Sequence, residues 1–198
     1  MRQFIVLGHD VPTTPDFPLD ALPSEAGRLD VLCRCVNSAF FLSHDLREDV
    51  RVSLVLGDEF TITFEGTGLH RLNPDERSTA ALVRKALEQR DEAIGHMAAE
   101  SSPGVSISRL GFEATLSSAA DDGTVVQLHQ NGNPIVDAEP PEDPVFVLSD
   151  HHEFTDEEAA LLSETADARV SLSPRALHAD HAITVAHNYL DTGGFSEY

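Results

Sequence analysis

The sequence predicts an α/β fold built on a largely parallel sheet flanked by helices, because strand-like and helix-like stretches alternate along its 198 residues. Two apolar runs, Phe4-Ile5-Val6-Leu7 and Val145-Phe146-Val147-Leu148, have the near-continuous hydrophobicity of strands buried on both faces. Leu29, Leu32, Val36 and Phe40 recur at helical spacing between them. A capping-box pattern, Thr155-Asp156-Glu157-Glu158, opens a later helix. The length suits a single domain over 1–198, and no internal repeat or low-complexity segment divides it.

Taken in order, the first strand is expected at Arg2–Gly8, directly behind the first methionine. A proline-rich loop, Val11–Pro23, leads to a helix over Glu25–Asp45, and Val50–Leu56 with Phe60–Glu65 should form a hairpin about Gly57-Asp58. After the loop Gly66–Pro74, Asp75 begins a helix expected to run through Met97, with Leu82, Ala86 and Leu87 on its apolar face. Short strands are expected at Val105–Ile107, Ala114–Leu116 and Val125–His129, the last ending at Asn131-Gly132-Asn133. The linker Asp137–Pro144, rich in proline and acid, should be exposed. A strand at Pro144–Leu148, the capped helix through Thr165, a strand at Arg169–Leu172 and a helix over Leu177–Asp191 complete the chain. Ligands of such sheets bind outside the carboxyl ends of strands, which directs attention to the loops after Leu7, Leu148 and Leu172.

Acidic residues number 34 against 13 basic ones, for a net charge of −21, and Lys85 is the only lysine. One reading is a protein that repels nucleic acid. The other, favoured by the scarcity of lysine, is adaptation to a very salty cytoplasm, where the Debye length shrinks to about 3 Å at 1 M salt and the surface charge no longer excludes RNA. No run approaches the ~18 apolar residues of a membrane span, and the N-terminus lacks the pattern of a signal peptide. The two cysteines, Cys33 and Cys35, point to different faces of a helix, so a reduced, cytoplasmic protein is expected.

No glycine-rich phosphate cradle opens a helix (Gly66-Thr67-Gly68 does not follow that pattern), and no nucleophile elbow is present. His151 and His152 are adjacent, while His178 and His181 lie one helical turn apart, a spacing compatible with a shared metal. Neither an HExxH pattern nor nearby cysteine accompanies them, and ordinary polar histidines would look the same. The strand ends are more informative. Val145-Phe146-Val147-Leu148-Ser149-Asp150-His151 runs from a buried strand into a polar turn, and Val170-Ser171-Leu172-Ser173-Pro174-Arg175-Ala176 repeats the design before entering a helix. Small residues there leave backbone groups free to read an adenine edge and a ribose, as turns of many α/β proteins can.

The Leu-Ser-Asp-His loop, the block Ser171-Leu172-Ser173-Pro174-Arg175-Ala176-Leu177-His178-Ala179-Asp180-His181-Ala182-Ile183 and His187-Asn188-Tyr189-Leu190-Asp191 resemble the archaeal tRNA pseudouridine N1-methyltransferases of the SPOUT superfamily, the TrmY type. The opening Phe4-Ile5-Val6-Leu7-Gly8-His9-Asp10 and the stretch Asn37–Arg47 resemble that family too, in the same order over nearly the whole chain. The resemblance implies a SPOUT fold with a C-terminal trefoil knot, a knotted cofactor-binding region at about 125–198, a homodimer, and methyl transfer from S-adenosylmethionine to N1 of pseudouridine 54 in the tRNA T loop. It places the cofactor against Leu128, Leu148, Ser149, Ser171, Leu172, Ser173, Pro174, Arg175, Ala176 and Ala182. The family usually has glycine where Ser149 and Ser173 stand, and a cysteine near Ala182. Asp10, His44 and Asp45 are the candidate bases, Asp10 being favoured, and Asn37 is a candidate to hydrogen-bond the target base. Arg34, Arg47 and Arg71 are the expected RNA contacts, and Phe41 or His44 would stack on an extruded base. The resemblance implies no metal. A related enzyme acting on ribosomal RNA, or a non-catalytic histidine-rich metal-binding module, are the rival readings.

Overall fold

The first apolar run forms β1 (Arg2–Gly8), which pairs in parallel with β2 (Val50–Leu56) on one side and β7 (Pro144–Ser149) on the other. The structure, a computed structural model, describes residues 1–70 and 72–198; Arg71, an expected RNA contact, lies outside the described residues. β2 continues antiparallel into β3 (Phe60–Glu65) through the expected turn, where Gly57 and Asp58 both adopt positive φ. β3 is followed outward by β5 (Val105–Ser108) and β4 (Ala99–Ser102), both antiparallel. On the other flank, β6 (Thr124–Pro134) and β8 (Ala168–Ser171) extend the parallel block. The eight-stranded order is β4-β5-β3-β2-β1-β7-β6-β8, so the sheet is mixed: parallel from β2 to β8, antiparallel from β2 to β4.

Alternation along the central strands feeds two cores. Phe4, Val6, Phe146 and Leu148 face α2 (Leu29–Phe40), α3 (Glu76–Glu88) and α6 (Ala179–Asp191). Ile5, Leu7, Val145 and Val147 face α4 (Phe112–Ala120) and α5 (Asp156–Thr165). Phe4 stacks on Phe146 at 5.6 Å between ring centroids, an offset pair worth about 1 kcal/mol beyond its burial. Thr155 and Glu158 form the capping box of α5, as expected.

Six elements differ from the sequence expectation: β4 was not expected, β6 runs through Asn131-Gly132-Asn133 to Pro134 instead of ending at His129, and four helices depart from it. The short helix α1 (Leu22–Glu25) interrupts the proline-rich loop, and α2 begins at Leu29 and stops at Phe40 instead of running from Glu25 to Asp45. Behind Phe40 the chain reverses in a tight turn in which Leu42 N–H donates to Asp45 O and Arg47 N–H to Phe40 O. α3 stops at Glu88 rather than Met97; Arg90 folds back and donates through Nη1 to Leu87 O, satisfying a terminal carbonyl of the helix. The expected strand Ala114–Leu116 is helical. Phe112, Thr115, Leu116 and Ala119 are buried at helical spacing, and the Phe112 N–H is capped at 2.6 Å by the Asp58 carboxylate from the distant β2–β3 turn. No helix among the described residues is long and apolar enough to cross a membrane.

Candidate active site

β6, β7 and β8 run parallel, and where they end a cleft of about 390 Å³ opens against the N-terminal turn of α6. Leu128, Leu148, Ser149, Ser171, Leu172, Ser173, Arg175, Ala176 and Ala182 all line it, which brings together residues from four separate elements and their loops. Pro174 stands in the same loop without lining the cleft. Leu128 and Leu148 are buried and Leu172 half-buried, giving an apolar floor. His129, Gln130, His151, His152 and Glu153 form a polar rim.

Ser149 lines the cleft and carries one polar group that the protein itself leaves unmatched. Its Oγ is buried and has no hydrogen-bond partner within the protein, a situation that costs about 1–3 kcal/mol if it stays unmet. A ligand with polar edges and an apolar body, such as an adenosyl group, fits this combination of orphan hydroxyl, leucine floor and small-residue loops.

The loop behind β7 is held by Asp150, whose side chain is fully buried. Its N–H donates to Leu7 O at 2.9 Å, tying the loop to the end of β1. Its carboxylate accepts from His9 N–H at 3.0 Å and from His152 N–H at 2.8 Å, and lies 3.1 Å from His9 Nδ1. His9 Nε2 in turn lies 3.1 Å from Glu158 on α5. Burial opposes the charge on His9, but Glu158 and Asp150 outweigh it and raise its pKa above the ordinary histidine value. None of His9, Asp150 and Glu158 was expected from the sequence to hold the site; the visible signal was a histidine–acid pair at the end of each buried strand, His9-Asp10 and Asp150-His151.

On the far side of the rim, His129 Nδ1 accepts from Arg169 Nη2 at 2.7 Å and from Asn131 N–H at 3.0 Å, which fixes the neutral ring with its proton on Nε2. Burial, then the Arg169 charge, lower its pKa in keeping with that tautomer.

The remaining expected residues separate into two groups. Asp10 is exposed, 2.8 Å from His152 Nε2, and so stands beside the mouth of the cleft without lining it. His44, Asp45, Phe41 and Arg47 do not stand there. Arg47 pairs with Asp191 at the C-terminal end of α6, whereas the cleft abuts the N-terminal end; thirteen residues of helix put these about 18 Å apart. His44 lines a separate hollow with Phe41, Asp45, Leu69 and His70. Within one protomer, His44 and Arg47 therefore stand away from the cleft: α2 runs antiparallel to β1 and carries both to the opposite edge of the sheet. Arg34 is held by Asp30 at 2.7 Å, Glu76 at 3.1 Å and Asp180 at 3.5 Å, so its fork is engaged inside the protein rather than offered to phosphate. Asn37 accepts from Thr79 Oγ1 at 2.9 Å and holds α2 to α3.

Known proteins match this chain end to end. The family model described as "Putative SAM-dependent RNA methyltransferase" matches residues 1–195. A tRNA (pseudouridine(54)-N(1))-methyltransferase of Haloferax volcanii is 75% identical over 198 residues, covering 100% of both chains. A protein of the same name from Haloarcula marismortui is 72% identical over 198 residues with the same full coverage, and one from Methanocella arvoryzae is 45% identical over 191 residues, covering 94% of this chain and 97% of that one. Among solved structures, Archaeoglobus fulgidus Nep1 bound to S-adenosylhomocysteine superposes with a TM-score of 0.65 over 96% of this chain and 97% of that one; at 14% identity, it bears on the fold alone. By family match and by full-length identity, the chain belongs to the SAM-dependent RNA methyltransferases.

Proposed function

We propose that this protein methylates N1 of pseudouridine 54 in the T loop of tRNA, with S-adenosylmethionine as donor. The observation that carries this reading is 75% identity over the full length with a protein of that named activity. S-adenosylmethionine brings an electrophilic methyl on a sulfonium, and the nucleophile is the pseudouridine N1 after loss of its proton. The chain's part is positioning, which can supply much of the barrier reduction in such a transfer. Leu128, Leu148 and Leu172 exclude water from the floor, Ser149 offers an unmatched hydroxyl, and the Ser171–Ala176 loop closes one wall. In this reading Asp10 takes the N1 proton, and its contact with His152 beside the mouth is what supports the role.

The finer readings are part of the same proposal. A single SPOUT domain spans 1–198. The C-terminal knot belongs to this reading, and what supports it is that Val170 pairs with Leu128 and, across a register shift in β6, with Asn133 as well. A homodimer would bring a second copy's residues toward the cleft, which gives His44 and Arg47 a route to it that one protomer lacks. A salty cytoplasm as the working environment is supported by the net charge of −21 and by relatives from Haloferax and Haloarcula.

The test is a methyl-transfer assay on two T-arm RNAs that differ only in pseudouridine or uridine at position 54. N1-methylpseudouridine should form on the first, with no methylation of the second. Equal methylation of both, or methylation of ribosomal RNA in preference to either, would overturn the reading.

A further inference from the structure

Asp10 leaves the end of β1 and His151 and His152 leave the end of β7, and one ligand atom from each lies within 4.8 Å of the other two. From this we infer that the mouth of the cleft is a binding site for a divalent transition cation, held by the Asp10 carboxylate and the two imidazoles, so that Asp10 is free to take a proton only while the cation is absent. Donors of a common cation at ordinary bond lengths stand about 3–3.5 Å apart, so closure needs only rotation of exposed side chains about their own bonds. Asp10 and His152 already meet at 2.8 Å, and the rings of His151 and His152 lie 4.0 Å apart and tilted, not stacked flat.

The backbone that presents these ligands is fixed. Asp150 accepts the His152 N–H at 2.8 Å and the His9 N–H at 3.0 Å, and donates its own N–H to Leu7 O. The two strand ends are thereby clamped together, and the residue following His9 and the residue pair following Asp150 are aimed at one point. Outer groups of this kind set the orientation of metal ligands and contribute to affinity. The second histidine pair, His178 and His181, has ring centroids 6.0 Å apart, and among the described residues no third ligand converges on it.

Two imidazoles and one carboxylate select zinc, cobalt, nickel or iron(II) over potassium, sodium or magnesium, which prefer oxygen. High potassium therefore does not compete for the site. Three protein ligands leave at least one coordination position open, and two of them, His151 and His152, line the cleft. A cation there also offsets the carboxylates of Asp10 and Glu153 near the entrance.

The experiment titrates ZnCl₂, and separately CoCl₂, into the chelator-treated full-length protein in concentrated KCl, by calorimetry and by the visible spectrum of bound cobalt. One equivalent should bind per chain, with the intense bands of a low-symmetry nitrogen–oxygen site. H151A, H152A and D10N should each weaken binding by about tenfold or more, while H178A and H181A bind as the parent does. Thermal melting of each variant confirms that the exposed substitutions leave the fold intact. Absence of saturable binding, or binding that H152A leaves unchanged, overturns the proposal. Dependence on His178 and His181 instead would also overturn it.

Discussion

His187 sits buried between α6 and α2, where Nε2 donates to Ala39 O at 3.0 Å and Nδ1 accepts from Arg2 Nη1 at 3.2 Å. The contact with Arg2 requires the neutral ring with its proton on Nε2. Burial first, then the Arg47 and Arg2 charges, lower its pKa to about 4. The unfolded chain binds this proton more readily, so the contribution is fully present above the ordinary histidine value near 6.5 and is lost as the pH falls toward 4. It amounts to about 3 kcal/mol at neutral pH. Urea unfolding of the wild type between pH 7 and pH 4 should show this loss, and His187→Gln should flatten that part of the slope; an unchanged slope would contradict the assignment. Asp30 and Asp191 also have lowered pKa values, opposed by burial and driven down by their arginine partners, and they add acid sensitivity below the carboxylate range in both proteins. At this scale the loops that line the cleft were legible, because Ser149 and Ser171–Ala176 directly follow apolar runs in the sequence. The partners of His9 were not: Asp150 and Glu158 lie 141 and 149 residues away, and only the parallel pairing of β1 with β7 brings them to it.

Secondary structure was legible wherever the stop signal was local. The turn Gly57-Asp58 and the Thr155 capping box carry their own instructions. α4 was misread because its cap is remote: Asp58 closes the Phe112 N–H from across the sheet, and no neighbouring residue announces a helix start. α3 was read too long for a related reason, since Arg90 ends it with a side chain that also favours helix. The passage of β6 beside β8 rests on Gly132, where an added Cβ would stand 2.4 Å from the Val170 carbonyl carbon. Two backbones cannot approach this closely with a side chain between them. Gly132→Ala should therefore lower stability by about 1–3 kcal/mol, read as a fall in unfolding midpoint, and should weaken S-adenosylhomocysteine binding through displaced Leu128 and Leu172. A variant with wild-type midpoint and affinity would show that β8 has room to move aside.

Across the whole molecule, a charge of −21 produces repulsion that salt screens. Ion pairs at Arg34, Arg47 and Arg51 join elements distant in sequence and relieve it only locally. The unfolding midpoint should thus rise as KCl increases from ~0.1 M to ~1 M, and a flat or falling midpoint would mean that the ion pairs dominate instead. Composition and fold class were both readable from the sequence, and so were the parallel block and the edge where its cleft opens. The direction of α2, which carries His44 and Arg47 away from that edge, was not, because helical periodicity says nothing about which end of a sheet a helix reaches.

The central claim is that the cleft at the ends of β6, β7 and β8 holds the cofactor. Calorimetric titration of S-adenosylhomocysteine into the wild type and into Ala182→Trp tests it most directly, since Ala182 lines the cleft from α6 and an indole there fills it. With the melting curve used to confirm that the variant is folded, the wild type should bind one equivalent per chain and Ala182→Trp should bind at least about 100-fold more weakly. Undiminished binding by a folded Ala182→Trp would place the cofactor elsewhere and contradict the account.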